Sequence, residues 1–242
     1  MARIGIIGSR GRMGLALQRA IEQDGHSYTG GVDLGGNASV AAAQSDVLVD
    51  FSAPSALAAN LKAALDAKIP MVIGTTGLAA EHHTMIDQAS RNIPILQTGN
   101  TSLGVTLLAY LVQEAASRLG PEWDIEIVEM HHRMKVDAPS GTALLLGEAA
   151  AKGRGIDLAS SSESGRDGHT GARAEGAIGF AALRGGTVAG DHSVIFAGDE
   201  ERITLTHNAE NRMIFARGAV KAAEWIIGKP AERYSMQDVL DL

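Results

Sequence analysis

The run EMHHRMKVDAPSGTA, Glu129–Ala143, places two imidazoles, a lysine and a helix start within fifteen residues. An imidazole titrates near working pH and can carry a proton both ways. If Ile125–Met130 is a strand that continues through His131 and His132, the two side chains leave on opposite faces, so one can face a cleft while the other supports it. Lys135 follows at a distance that a strand end and loop can fold back. Its ammonium suits an anionic group or, desolvated, proton transfer. After Asp137 and Pro139, Ser140-Gly141-Thr142 opens a helical pattern carried by Leu144, Leu145 and Ala149. Free amides and the positive end of the helix dipole at such a start make a seat for a carboxylate or phosphate. Each residue alone has a plain reading: a structural histidine, a solvated lysine, a serine N-cap. Their crowding favours chemistry. A metal triad of His131, His132 and Asp137 is disfavoured because adjacent strand histidines diverge, and no metal site is expected.

These groups must be positioned by the elements around them. Ala2–Ile7 is a short apolar run ending in Gly8-Ser9-Arg10-Gly11-Arg12-Met13-Gly14, and Leu15, Leu17, Ala20 and Ile21 then give a helical pattern. Strand, glycine turn and helix make a dinucleotide-type start, although the glycines fall as GxxGxxG instead of GxGxxG. Gly8 suits the tight turn, Gly11 the approach of backbone to a pyrophosphate, and Gly14 close packing of helix on sheet. A second strand, Tyr28–Val32, ends at Asp33, where an acid can accept ribose hydroxyls. Leu34 follows it instead of a cation that would read a 2′-phosphate, which favours NADH over NADPH.

Further steps come from a short helix at 37–45, a strand Val47–Phe51, a helix from Pro54 to about Ala67, and a strand Met71–Ile73. That last strand ends in Gly74-Thr75-Thr76-Gly77, a small polar turn of the kind that receives ligands in open parallel sheets. A helix Ala80–Arg91, with His82 and His83 read as surface, a strand Ile93–Leu96 and a helix Leu103–Leu119 complete at least five βα steps. That rhythm predicts an α/β, doubly wound parallel sheet. After Trp123 it changes. Residues 153–176 are polar and glycine-rich without helical period, which predicts a lid or excursion over a site. Ile178–Leu183, Thr187–Phe196 and Arg202–His207 read as consecutive antiparallel strands, and Arg212 begins a final amphipathic helix. The second unit is thus α+β, with an extended sheet whose apolar face calls for another copy of itself.

Composition narrows the function. A net charge of −7, with no arginine-rich helix, gives no footprint for nucleic acid. The absence of cysteine excludes disulfides, thiolate metal sites and thioester chemistry. The first apolar run is too short for a signal peptide and no apolar stretch is long enough to cross a membrane, so the expectation is a cytoplasmic protein. A redox sensor built on a dinucleotide domain would need no HH…K…SGT cluster.

HHRMKVDAPSGTA, together with GxxGRMG near the start, VIGTTG in the middle and RMIFARGA near the end, closely resembles the dihydrodipicolinate reductase (4-hydroxy-tetrahydrodipicolinate reductase) family of the diaminopimelate and lysine route, over essentially the whole chain. The resemblance implies a Rossmann-type dinucleotide domain, 1–102 with 213–242, and a substrate and tetramerisation domain, 103–212. It implies NADH or NADPH at Gly8, Ser9, Arg10, Gly11, Arg12, Met13, Asp33, Gly74, Thr75, Thr76, Thr98, Gly99, Asn100 and Thr101. It implies a cyclic dicarboxylate held by His132, Lys135, Ser140, Gly141, Thr142 and Arg212, with His131 as acid/base residue, Lys135 as proton donor, and a homotetramer. Three positions depart from the family pattern. Leu34 stands where NADPH users often carry arginine, Thr101 where an aromatic is common, and Met134 where a further histidine is often found; the segment after Asp33 is also short.

Overall fold

Short strands buried on both faces need helices on both sides, and the amino-terminal half supplies them. The computed structural model describes all 242 residues and divides into two compact units, Met1–Leu103 with Arg212–Leu242, and Gly104–Asn211. In the first unit, β1 (Arg3–Ile7), β2 (Ser27–Val32), β3 (Val47–Asp50), β4 (Met71–Ile73) and β5 (Ile95–Gln97) are all parallel. The sixth strand, β11 (Arg233–Tyr234), adds to β5, giving the order β11-β5-β4-β3-β1-β2. The chain turns back between β1 and β3, which is the switch point where open α/β sheets bind ligands.

Helix α1 (Arg12–Gln23) buries Gly14, Leu17, Ala20 and Ile21, one stripe at helical spacing. It packs with α8 (Met213–Ile226) and α9 (Met236–Val239) on one face of the sheet against Ile4, Ile6 and Val49. On the other face α2 (Ala38–Ala42), α3 (Leu57–Ala67) and α4 (Ala80–Ala89) cover Leu48, Met71 and Ile73. The doubly wound sheet is therefore as the βα rhythm predicts. A Cβ at Gly14 would stand 2.3 Å from the Gly8 carbonyl, so only glycine lets α1 start this close to the turn. Gly218 does the same for α8, whose backbone meets the Thr101 carbonyl.

In the second unit, α5 (Leu103–Arg118, all but its first residue) and α6 (Gly141–Arg154) cover one face of a five-stranded sheet. That sheet has the order β10-β9-β6-β8-β7: β6 (Asp124–His131), β7 (Ser162–Ser164), β8 (Ile178–Arg184), β9 (Gly190–Ala197) and β10 (Arg202–Ala209). Residues of β6 alternate buried and half-buried, so Ile125, Ile127, Glu129 and His131 share the covered face. Two expectations are corrected. The runs read as three neighbouring antiparallel strands are not neighbours throughout, because β6 lies between β8 and β9, parallel to the first and antiparallel to the second. Residues 185–189 span the gap, two inter-strand spacings of about 4.8 Å each, so a short join fixes direction and leaves adjacency open.

The segment 153–176, read as an aperiodic excursion over a site, is partly ordinary structure. α6 runs to Arg154, Asp157 caps a single turn α7 (Leu158–Ser161), and β7 pairs with β8 as an edge strand. Arg173 then ties the segment to Asp124 and Glu126 of β6 at 2.8 and 2.9 Å. Four residues of helix and three of strand are too short to show a period.

Candidate active site

The carboxyl ends of the first sheet gather most of the residues expected to meet a dinucleotide. Gly8 follows β1 with φ +85°, and a Cβ there would strike the Phe51 carbonyl at 2.5 Å. Gly11 is the N-cap of α1 and no side chain caps the helix, so its first amides and dipole are left for a ligand. Arg12 and Met13 form the first turn, with Met13 packed on the core and Arg10 and Arg12 exposed. Asp33 leaves the end of β2 and accepts from Ser9 Oγ at 2.8 Å and from the Arg10 amide at 3.1 Å. A carboxylate has room for about four such bonds, so capacity remains for ribose hydroxyls. Leu34 is fully exposed beside it.

Gly74 and Thr75 follow β4, and their types have internal reasons. A Cβ at Gly74 would meet the Phe51 ring at 2.3 Å, and Thr75 Oγ1 lies 3.2 Å from Asp50 Oδ1. Asp50, fully buried at the end of β3, also accepts from Ser52 and Asn60, a network no sequence pattern singled out. Thr76 is exposed. After β5, Thr98 bonds the Asn100 backbone, and Asn100 Oδ1 accepts from the Ser102 amide. Gly99 has nothing within 4 Å of a notional Cβ, and Thr101 is buried with its hydroxyl on the Phe215 carbonyl. Thr101 thus serves as a tether to α8, a role its departure from the family's aromatic does not reveal.

The second unit holds the other cluster. His131 ends β6 on the buried face, while His132 is half-buried and its amide donates to Val188. His131 Nδ1 lies 2.6 Å from Glu129 Oε2. Arg184 forks onto both Glu129 oxygens at 2.8 and 2.9 Å, and the Ser140 amide donates to Oε1 at 3.1 Å. Burial alone would raise the Glu129 carboxyl; the hydrogen bonds from Arg184 and His131 outweigh it and hold it below the ordinary glutamate range. Ser140 caps α6 by accepting from the Ala143 amide at 3.1 Å, and its hydroxyl also meets His192 Nε2 at 3.1 Å. The His192 ring packs edge-on against His131 with centroids 5.1 Å apart.

Lys135 Nζ donates to both oxygens of Asp137, at 2.9 and 2.8 Å, and that bond holds the Asp137 carboxyl below its usual value. The Asp137 carbonyl in turn accepts from Arg184. One network therefore joins Lys135, Asp137, Arg184, Glu129, His131, Ser140 and His192. Gly141 and Thr142 form the first turn of α6, and open space lies where a Gly141 Cβ would be. Arg212 is not part of this cluster's unit; it is the N-cap of α8 in the first.

Four members of the network are not among the expected site residues, Asp137 having been weighed only as a metal ligand. Glu129 had a signal, since residues two apart on a strand share a face. Arg184 and His192 had none: they arrive opposite His131 and Glu129 through sheet register.

His192 makes a pH prediction. Burial first, then the charge of His131, depresses it to about 4, and its Nδ1 is buried without a hydrogen-bond partner. Between about 6.5 and about 4 the unfolded chain takes up this proton and the folded one does not. Stability is thus full above the unfolded value and declines as pH falls through that window, by on the order of 3 kcal/mol. Glu129, also depressed, adds its loss at lower pH. His192→Gln is expected to flatten the decline in chemical-denaturation curves taken across the window; an unchanged slope would assign the acid sensitivity to other groups.

Comparison with known proteins places the chain. The family description "Dihydrodipicolinate reductase, N-terminus" matches residues 2–101 and "Dihydrodipicolinate reductase, C-terminus" matches 104–240. A protein of Zymomonas mobilis named 4-hydroxy-tetrahydrodipicolinate reductase is 53% identical, covering 99% of this chain and 97% of that one. One of Methylocella silvestris with the same name is 57% identical over 96% of this chain and 87% of its own. Among solved structures, a dipicolinate-bound dihydrodipicolinate reductase from Paenisporosarcina sp. TG-14 has a TM-score of 0.77 at 22% identity and covers 98% of both chains. A probable dehydrogenase from Thermotoga maritima has a TM-score of 0.60 at 12% identity, over 98% of this chain and 92% of that one.

Proposed function

Because the chain belongs to the dihydrodipicolinate reductase family, we propose that it reduces 4-hydroxy-tetrahydrodipicolinate to tetrahydrodipicolinate with loss of water, in the diaminopimelate route to lysine. It is a pyridine-nucleotide oxidoreductase of two units, and the coenzyme supplies the hydride. The uncapped start of α1 and the Gly8–Gly11 turn suit its pyrophosphate, and Asp33 its ribose. Gly74, Thr75, Thr76 and the loop Thr98–Thr101 follow the carboxyl ends of the neighbouring parallel strands β4 and β5 and are assigned to the cofactor side.

The substrate is a ring with two carboxylates, so the protein must bind a dianion, move protons and exclude water. Lys135, His132 and the first turn of α6, with Ser140, Gly141 and the Thr142 hydroxyl, supply donors and positive charge. His131 moves the proton that lets the ring hydroxyl leave as water, assistance that typically contributes about 10² to 10⁴ in rate. Lys135 donates the proton that balances the hydride received by the ring. One proton and one hydride enter, and one water departs. Orientation of the ring contributes more than proton transfer, since aligned reactants gain roughly 7 to 11 kcal/mol. The observation that carries this reading is the single hydrogen-bonded network joining His131, Lys135 and the cap of the anion-seating helix. Purified protein should oxidise reduced nicotinamide only when freshly generated cyclic substrate is added; oxidation without it, or none with it, would contradict the proposal.

NADH is the proposed preferred coenzyme, because Leu34 follows the ribose acid where a cation would read a 2′-phosphate. Leu34→Arg is expected to raise the kcat/KM ratio of NADPH over NADH about tenfold, one charge-assisted hydrogen bond's worth. An unmoved ratio would show that Asp33 and Leu34 do not read the ribose. A cytoplasmic homotetramer is the proposed working form. Val128, Met130, Leu183 and Ile195 leave apolar surface on the second sheet, with Leu183 51% exposed, and such a face favours burial against another copy.

A further inference from the structure

We infer that Glu129 is a positioning residue: it fixes the proton of neutral His131 on Nδ1 and keeps Nε2 as the nitrogen that exchanges protons with substrate. For the identity of that substrate the inference rests on the reductase reading; for the tautomer it rests on geometry alone.

Each Glu129 oxygen receives two donors. Oε2 takes His131 Nδ1 at 2.6 Å and Arg184 Nη1 at 2.8 Å, and Oε1 takes Arg184 Nη2 at 2.9 Å and the Ser140 amide at 3.1 Å. The side chain is only 1% exposed, so no water competes for it. A guanidinium forked onto a carboxylate stays charged, and an ionised carboxylate can only accept. Nδ1 of His131 must then be the donor, and its lone pair lies on Nε2. A Cβ at Gly190 would stand 2.9 Å from that Nε2, so glycine there keeps the space beside the working nitrogen clear. The same carboxylate grips the amide of Ser140, the cap of α6, and thereby sets the imidazole and the anion-seating helix at a fixed spacing. A glutamate serving only to bind β6 to β8 through Arg184 would need neither bond.

Glu129→Gln separates the two roles without changing volume. A glutamine must put its NH₂ where one oxygen was. On the Oε1 side it would face Arg184 and the Ser140 amide, neither of which can accept. On the Oε2 side it faces Arg184 Nη1, which cannot accept, and His131, which can by moving its proton to Nε2, so this placement leaves one mismatched donor instead of two. The variant should therefore flip the tautomer and block the working nitrogen, as expected when an imidazole's orienting carboxylate becomes an amide.

The test is ¹⁵N-histidine imidazole spectroscopy of the full chain at a pH where His131 is neutral, assigned with His131→Gln, alongside steady-state kinetics. The parent should show Nδ1–H, and Glu129→Gln should show Nε2–H. The variant's kcat should fall about 100-fold, with the KM of the cyclic dicarboxylate changed by less than about threefold. Should Glu129→Gln not fold, Glu129→Asp keeps the charge and withdraws it by one methylene. It should cut kcat at least about tenfold, and a kcat matching the parent's would overturn the inference. An Nε2–H parent, an unflipped Glu129→Gln, or a flipped one with undiminished kcat would overturn it too. A parent that shows the Nδ1–H tautomer yet never turns over the substrate would sink the reductase reading and leave Glu129's hold on the ring standing.

Discussion

Lys135→Ala is expected to lower kcat and raise the KM of the dicarboxylate together, so that kcat/KM falls by about 10² to 10³, the usual cost of removing one preorganised donor from developing charge. The lysine is assigned two tasks, attraction of a carboxylate and donation of a proton, and alanine ends both. Its side chain is only 20% exposed and its ammonium is already paired with Asp137, so it is held in place before substrate arrives. Substrate must share that ammonium with Asp137, and three N–H donors allow it. The partner left behind is 55% exposed and can be solvated, so the loss should leave the melting temperature nearly unchanged. Steady-state kinetics and a thermal melt of the same preparation decide the matter. Unchanged kcat and KM would remove Lys135 from the site, and a large drop in melting temperature would reassign it to the fold.

His131→Gln is expected to lower kcat by about 10² to 10⁴ with little change in the KM of either substrate, because an amide fills the space but cannot carry a proton. The glutamine can still donate to Glu129, so the buried carboxylate is not orphaned and the strand end should keep its place. Measurement of kcat across the working pH range checks this. A variant within about threefold of the parent throughout would mean that another group, or water, moves the proton.

What the sequence made legible was whatever repeats or crowds. Five apolar strands separated by helical patterns predict the parallel sheet because every buried strand must look alike, and the structure supplies that sheet. The HH…K…SGT run was readable because its members are close in the chain, and Ser140 caps α6 where the apolar pattern begins. Register was not readable. His192 lies across from Glu129, and Arg184 across from His131, only because β9 and β8 flank β6. Nothing in Gly190–Ala197 or Ile178–Arg184 states which strand they will border. The misread adjacency of β8 and β9 and the missed half of the His131 network thus have one cause. β11 escaped for a different reason, since two residues, Arg233 and Tyr234, carry no alternation. The bond from the Thr101 hydroxyl to the Phe215 carbonyl of α8 was not readable either, because it depends on a contact 114 residues away.

The most direct measurement is of the transferred atom. Purified protein, freshly generated cyclic substrate and NADH deuterated at the transferring carbon position should yield a product carrying one deuterium on the ring, seen by mass spectrometry, in step with the nicotinamide consumed. A product formed without deuterium, or nicotinamide consumed while the ring stays unlabelled, would contradict hydride transfer to this substrate and with it the roles assigned to His131 and Lys135.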